Sequence, residues 1–261
     1  MLAAFVGVVV VALAAAAYRA RRHPGGTGAG SPFRLVLLAL PLLALVGLLG
    51  RATVMLELPP TTVIAHLSTA MALIALLIVI GLRASRLATG GDAPSHPPSW
   101  KATLAAIGLT AATLLMGGLT ANFEAAGACM GFPLCNGQVW PTAGPGGLTH
   151  IHWMHRVLAY ALTLHLIGMA VVARKRHAPA GVQRTLWVAL GITVLQVVVG
   201  AAMILSILQP QWRALHVAAG TAVWVCVVVL AWAVKPVRSE RAAVIGGNAR
   251  IEKATAVSSE S

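Results

Sequence analysis

The stretch VGLLGRATVMLELPPTTVIAHLSTA, residues 46–70, joins two apolar runs through one short connection, and the chain contains a second version of it. At an offset of 150 positions it aligns without gaps on QVVVGAAMILSILQPQWRALHVAAG, residues 196–220. The alignment pairs Gly with Gly, Pro with Pro and His with His, at Gly50 and Gly200, Pro60 and Pro210, His66 and His216. Similarity at a fixed offset is typical of a repeated structural unit. We therefore predict two helix pairs that share one plan.

The composition around these stretches is that of an integral membrane protein. Hydrophobic residues make up 58% of the 261 residues and charged residues only 10%, which is outside the range of soluble domains. Seven apolar runs are long enough to cross about 30 Å of hydrocarbon. They cover approximately residues 1–18, 34–50, 62–82, 102–120, 150–173, 185–206 and 213–234. The sequence therefore predicts an all-α, polytopic membrane bundle with about seven transmembrane helices.

Basic residues concentrate in alternate loops between these runs. They lie at 19–34, 83–101 and 174–184, whereas residues 121–149 contain none. Because Lys and Arg are enriched in cytoplasmic loops, we expect a cell membrane of bacterial type, with the tail from Lys235 cytoplasmic and the loop at 121–149 outside. The formal charge of +13 is thus assigned to topology, and no nucleic-acid partner is expected.

A second internal match defines the predicted units. YRARRHPGG aligns with VARKRHAPAG at an offset of 154, which places Met1 at the position of His155. We interpret residues 1–100 as an incomplete helical unit, 101–234 as a complete four-helix unit, and 235–261 as a disordered tail. The first unit is expected to lack its opening helix and the start of its second. A natural seven-helix chain whose repeat has diverged is the alternative.

Three histidines lie at similar depth in the outer half of three predicted spans: His66, His155 and His216. A polar ring in hydrocarbon needs a partner, so such residues are functional candidates. Two imidazoles on facing helices can hold a haem iron, and His155 and His216 are the pair that one complete unit supplies. A zinc cluster is disfavoured because the spans contain almost no acidic residues. For each histidine the alternative is a ring bonded only to neighbouring backbone.

Other polar residues surround this pair in the sequence. Arg156 follows His155 directly, and it either pairs with a haem propionate or extends to the membrane interface. His150 and His152 lie at that interface and are interpreted as solvated or loop-bonding residues. His165 lies deeper, and we expect it to hydrogen-bond a neighbouring helix.

The cysteines fall into two groups. Cys129 and Cys135 lie in the loop predicted to be outside, with Gly131 and Pro133 among the residues between them. In an oxidising compartment this pair is able to close a small disulfide loop, and two free thiols are the alternative. Cys226, inside an apolar run, is interpreted as a packing residue.

Three stretches together resemble the second half of a haem A synthase, a membrane enzyme of cytochrome oxidase assembly. They are GGLTANFEAAGACMGFPLCNGQVWP (117–141), HWMHRVLAY (152–160) and the stretch at 196–220, and the similarity covers most of residues 34–234. The resemblance implies a haem b between His155 and His216. It also implies that His66 binds the iron of the substrate, haem O, whose methyl group is oxidised to a formyl group by successive hydroxylations. Membrane lipid, haem O synthase and cytochrome oxidase assembly proteins are the implied partners.

This sequence also departs from the family pattern. The family's first helix, its first external loop with another cysteine pair and the carboxylate before its first histidine have no counterpart. Glu57 and Glu124 occupy other positions, so no catalytic residue is assigned. We therefore expect this chain to bind haem b yet convert little haem O. The competing function is a non-enzymatic haem carrier or electron-transfer cytochrome b. An inverted-repeat transporter is disfavoured because both copies begin on the same side.

Overall fold

The computed structural model describes residues 2–20, 33–89, 99–142 and 144–234. Within these ranges the chain forms seven α-helices and no β-strand beyond one isolated bridge. They are α1 (Leu2–Ala20), α2 (Phe33–Met55), α3 (Pro60–Thr89), α4 (Trp100–Asn122), α5 (Leu148–Lys175), α6 (Ala180–Leu205) and α7 (Pro210–Val234). The predicted all-α polytopic bundle is confirmed. Met1 and the tail at 235–261, on which two predictions bear, lie outside the described residues.

Helices α2 to α7 are each long and apolar enough to cross a membrane, and α1 adds a further apolar helix of 19 residues. The helices extend beyond the apolar runs. For example, α3 begins at Pro60 and ends at Thr89, whereas the predicted span covers 62–82. Hydropathy marks only the part of a helix that lies in hydrocarbon, and the backbone hydrogen bonds continue into the polar interface. The number and order of the spans were therefore predicted correctly, but most predicted spans are shorter than the helices that contain them.

The two connections aligned by the offset of 150 have the same local form. Each contains two consecutive non-glycine residues with φ near 60°, between 59° and 63°: Glu57, Leu58, Ile207 and Leu208. Each is followed by a helix that begins on a proline, Pro60 in α3 and Pro210 in α7. Proline suits the first helical position, because that residue's N–H has no partner within the helix. The sequence repeat is therefore also a repeat of backbone geometry.

The buried apolar residues form two clusters. The larger one joins α4, α5, α6 and α7 and includes Ala106, Leu162, Leu166, Leu186, Val227 and Leu230. The smaller one joins α1, α2 and α3 and includes Val10, Val36, Ala39, Leu73 and Ile80. Helix α3 packs against both α4 and α7, and the indole Nε1–H of Trp224 donates to the Met71 carbonyl at 2.9 Å. The clusters lie on either side of the predicted boundary at residue 100, while the division into two units stays a prediction.

Candidate functional site

His155 on α5 and His216 on α7 lie opposite one another in the described structure. Their ring centroids are 6.3 Å apart and their planes cross at 74°. Two imidazoles that share one metal ion, with metal–nitrogen bonds of about 2.0 Å, have ring centres roughly 6 Å apart. The structure therefore brings together the two residues that the sequence pairs, at a separation that suits one iron ion between them.

Two of the three candidate ligands are held by a carbonyl group of a neighbouring helix. Nδ1 of His155 lies 3.0 Å from the Thr113 carbonyl oxygen on α4, and Nδ1 of His66 lies 3.1 Å from the Val46 carbonyl oxygen on α2. A carbonyl only accepts, so Nδ1 carries the proton and Nε2 keeps the lone pair that a metal needs. Nδ1 of His216 is buried and has no hydrogen-bond partner among the described residues.

A cleft surrounds the histidine pair. It is open to the surroundings on one side, and both imidazole rings line it. Helices α4 to α7 and the loop before α5 line it, with Thr113, Phe132, Tyr160, Gln196, Gly200 and Met203 among the lining residues. The cleft is thus largely apolar around two imidazoles, and these residues fit a planar haem with two axial nitrogen ligands.

Arg156 lies beneath the loop that precedes α5, and only 8% of its surface is exposed. It therefore does not extend to water. Its guanidinium makes four hydrogen bonds at 2.6–3.3 Å, with the carbonyl oxygens of Cys129, Gly131 and Leu134 and with Nε2 of His152. A guanidinium has five N–H groups, so the loop and His152 take most of its capacity. Arg156 also lines the cleft, and its contact with a haem propionate stays a prediction.

A disulfide bond closes the segment at 129–135, here called the cysteine loop, which contacts Arg156. The sulfur atoms of Cys129 and Cys135 are joined, with Cα atoms 4.8 Å apart. Asn136 donates from Nδ2 to the Ala128 carbonyl at 2.9 Å, and its Oδ1 accepts from the Met130 N–H at 2.9 Å. These contacts fix the carbonyl groups that bind Arg156. The oxidation state of the cysteine pair in the cell stays a prediction.

Three further histidines on α5 have backbone partners. His165 bonds to the Ala102 carbonyl on α4 at 2.8 Å, the contact with a neighbouring helix that we expected. His150 bonds to the Pro141 carbonyl at 2.8 Å and His152 to the Ala125 carbonyl at 3.2 Å. Both contacts are to the loop, but His152 is buried, with 4% of its surface exposed, and is not solvated. The loop covers it, which the interface position in the sequence did not show.

Two further expectations concern the third histidine and the acidic residues. His66 lies on α3, with Val46 as its hydrogen-bonding partner, and the position predicted for a second ligand, Met1, lies outside the described residues. Glu57 and Glu124 are both exposed, and neither lines the cleft around the histidine pair. Among the described residues, no carboxylate therefore lines this site.

Glycines beside the three histidines were missed by the sequence analysis as site residues. Gly50, Gly117 and Gly200 each lie against one of the rings. The internal repeat had aligned Gly50 with Gly200 at a fixed distance before each histidine, and this was the available signal. For Gly117 the repeat gives no signal, because its counterpart would precede residue 1.

The chain is similar to known proteins along most of its length. A family model described as cytochrome oxidase assembly protein matches residues 1–228. The haem A synthase of Caulobacter vibrioides is 29% identical over 187 residues, which are 67% of this chain and 54% of that protein. The haem A synthase of Alkalihalophilus pseudofirmus is 40% identical over 68 residues, 25% of this chain and 22% of that protein.

A relative with another name also matches. The protohaem IX farnesyltransferase of Halobacterium salinarum is 33% identical over 120 residues, which are 46% of this chain and 27% of that protein. The chain thus spans between about a fifth and about half of the length of these curated relatives. Because the family model covers most of the sequence, the chain belongs to the cytochrome oxidase assembly protein family, that of the haem A synthases.

Proposed function

We propose that this chain is a membrane oxidoreductase of haem A synthase type, with a haem b between His155 and His216 and the substrate haem O bound through His66. The observation that carries the proposal is the pair of imidazoles 6.3 Å apart in a cleft of the membrane bundle. Relatives named haem A synthase support the biosynthetic role. The similarity to a protohaem IX farnesyltransferase supports a haem O synthase as the partner that supplies substrate.

In this proposal the chain's own residues bind the haem, orient its ligands and shield the ligand atoms from water. Bound haem b supplies one-electron transfer. The Thr113 carbonyl holds the proton of His155 on Nδ1, which leaves Nε2 as the ligand atom. Arg156 anchors the cysteine loop over the start of α5, and Phe132 of that loop lines the cleft. An apolar lining of this kind keeps water away from the ligand atoms and controls the local dielectric.

The proposed reaction is a four-electron oxidation of the substrate. With water as the source of oxygen, the methyl group of haem O gives a formyl group, four protons and four electrons, and the electrons leave to an acceptor in the membrane. His66 contributes by fixing the substrate iron, because a reacting group held in place avoids much of the entropic cost of its reaction. In this proposal the cysteine loop lies at the outer face and the tail is cytoplasmic.

The experiment is to co-express the chain with a source of haem O and to measure haem A by chromatography of extracted pigments. We expect a small amount of haem A above that of membranes without the chain, and none with His155→Ala. His165→Ala is the matched control, since this residue lies on the same helix, bonds the Ala102 carbonyl and does not line the cleft. A chain that binds haem but forms no haem A refutes the enzymatic assignment and favours an electron-transfer cytochrome b.

A further inference from the structure

A glycine lies against each of the three candidate ligand histidines. A Cβ atom built on Gly50, Gly117 or Gly200 would stand 3.0 Å from Cε1 and 3.4 Å from Nδ1 of the adjacent ring. Carbon atoms in van der Waals contact are separated by about 3.5–4.0 Å. Any other residue at these positions therefore displaces either the ring or the helix that faces it.

At two of the three rings, the carbonyl group that bonds the ring has a fixed relation to the glycine. The acceptors for His66 and His155 are Val46 and Thr113, each four residues before the glycine in its helix. In an α-helix that carbonyl already accepts the glycine's own N–H, and a carbonyl oxygen has a second lone pair. Because the glycine has no side chain, the ring can lie against the helix there and bring Nδ1 within hydrogen-bonding distance of this oxygen. At Gly50 and Gly117 the glycine and the carbonyl group together position the imidazole. We call Gly50, Gly117 and Gly200 the three seats, because each of them lies against one of the rings.

Other glycines on the same helices do not have this relation. Gly47 on α2, Gly108 on α4 and Gly191 on α6 have nothing within 4 Å of an added Cβ. Glycine inside a helix is destabilising relative to alanine, so a glycine that must remain needs a local reason. At the three seats the reason is the ring, and the three open positions provide internal controls.

We propose that Gly117 and Gly200 are positioning residues that set the ring planes of the two axial ligands, and that Gly50 does the same for His66. At Gly117 and Gly50 the close approach also secures the Nδ1–H hydrogen bond that fixes the tautomer. This inference rests on the proposed function, because it takes the histidines as ligands. It goes further in assigning the ring orientation, and hence the spectrum and potential of the bound haem, to glycines that do not touch the iron.

The test compares purified full-length chains that carry haem. Gly117→Ala is compared with Gly108→Ala on α4, and Gly200→Ala with Gly191→Ala on α6. An off-rotamer ring weakens haem retention by up to about tenfold, so we expect faster haem loss and a shifted low-spin ferric EPR signal in the two seat variants only. The midpoint potential of Gly117→Ala should rise, because a weaker Nδ1–H bond makes His155 a less basic ligand.

The outcomes separate this inference from the function on which it rests. A wild-type chain without haem refutes the proposed function and this inference with it. A wild-type chain with haem, and seat variants whose EPR signal and potential equal those of the controls, refutes only the role of the glycines. If Gly117→Ala does not accumulate, the double variant Gly117→Ala/His155→Ala decides. Accumulation equal to His155→Ala alone supports a clash with the ring, and continued loss overturns it.

Discussion

The guanidinium of Arg156 donates to the Cys129 carbonyl oxygen at 2.6 Å and thereby ties helix α5 to the cysteine loop. Arg156 follows His155 in the sequence, so the same turn of helix carries one candidate ligand and the anchor of the loop that covers it. This arrangement makes the loop part of the site and leads to the first prediction.

Arg156→Lys should lower the stability of the folded chain. A lysine presents a point charge with three donors and cannot reproduce the planar fork that meets the loop carbonyl groups. The contact with the Cys129 carbonyl is buried, and a carbonyl group left buried without a partner costs about 1–3 kcal/mol, so we expect a loss of about 2 kcal/mol. Thermal unfolding in detergent measures it, with Arg213→Lys, an exposed position, as the control. Equal melting temperatures in the two variants would show that the fork is dispensable.

The cysteine pair should be oxidised in protein isolated from membranes. Alkylation of the denatured chain without reduction should label only Cys226, which the structure shows as a free thiol, and reduction should expose Cys129 and Cys135 as well. Removal of the pair by serine should cost about 2 kcal/mol, as expected for a short closed loop. Labelling of all three cysteines before reduction would contradict the disulfide prediction.

Trp224→Phe should weaken the contact between α7 and α3. It removes the indole N–H that bonds the Met71 carbonyl and keeps most of the apolar ring. One lost hydrogen bond typically costs about 1 kcal/mol. Trp187→Phe is the matched control, because Trp187 is 48% exposed. We expect thermal unfolding to begin at a lower temperature only in Trp224→Phe. Equal unfolding temperatures in the two variants would show that this hydrogen bond does not stabilise the fold.

His66→Ala should separate the two proposed haem sites. Its ring bonds a carbonyl on α2, whereas the paired imidazoles lie on α5 and α7. We therefore expect the purified variant to keep the bis-imidazole spectrum and to lose haem A formation. Pigment extraction and absorption spectroscopy on one preparation test both points. Loss of the spectrum together with the product would indicate that His66 supports the first site instead.

The fold was largely predictable from the sequence because each span is a continuous apolar run and the repeat links two helix pairs. The helix ends were less predictable. Hydropathy falls at the interface, while α5 continues from Leu148 to Lys175, beyond the predicted 150–173. The repeat correctly aligned Pro60 with Pro210, but the sequence did not identify either proline as the first residue of a helix.

The candidate site was predictable only in part. The approach of His155 to His216 could be inferred from their similar depth and from their place in one predicted four-helix unit, because facing helices bring such residues to the same level of a bundle. The contacts of Arg156 could not be inferred, since they join it to carbonyl groups 22 to 27 residues earlier in a loop without regular structure. Burial of His152 depends on the same loop. Backbone direction in such a segment follows from tertiary contacts, which no local pattern encodes.

The most direct test of the central claim is the low-spin haem signal of the purified chain and its histidine variants. Absorption and ferric EPR spectra should show one bis-imidazole haem in the wild type and in His165→Ala, and neither His155→Ala nor His216→Ala should show it. A low-spin spectrum that persists unchanged in His216→Ala would contradict the assignment of the paired imidazoles as the haem ligands.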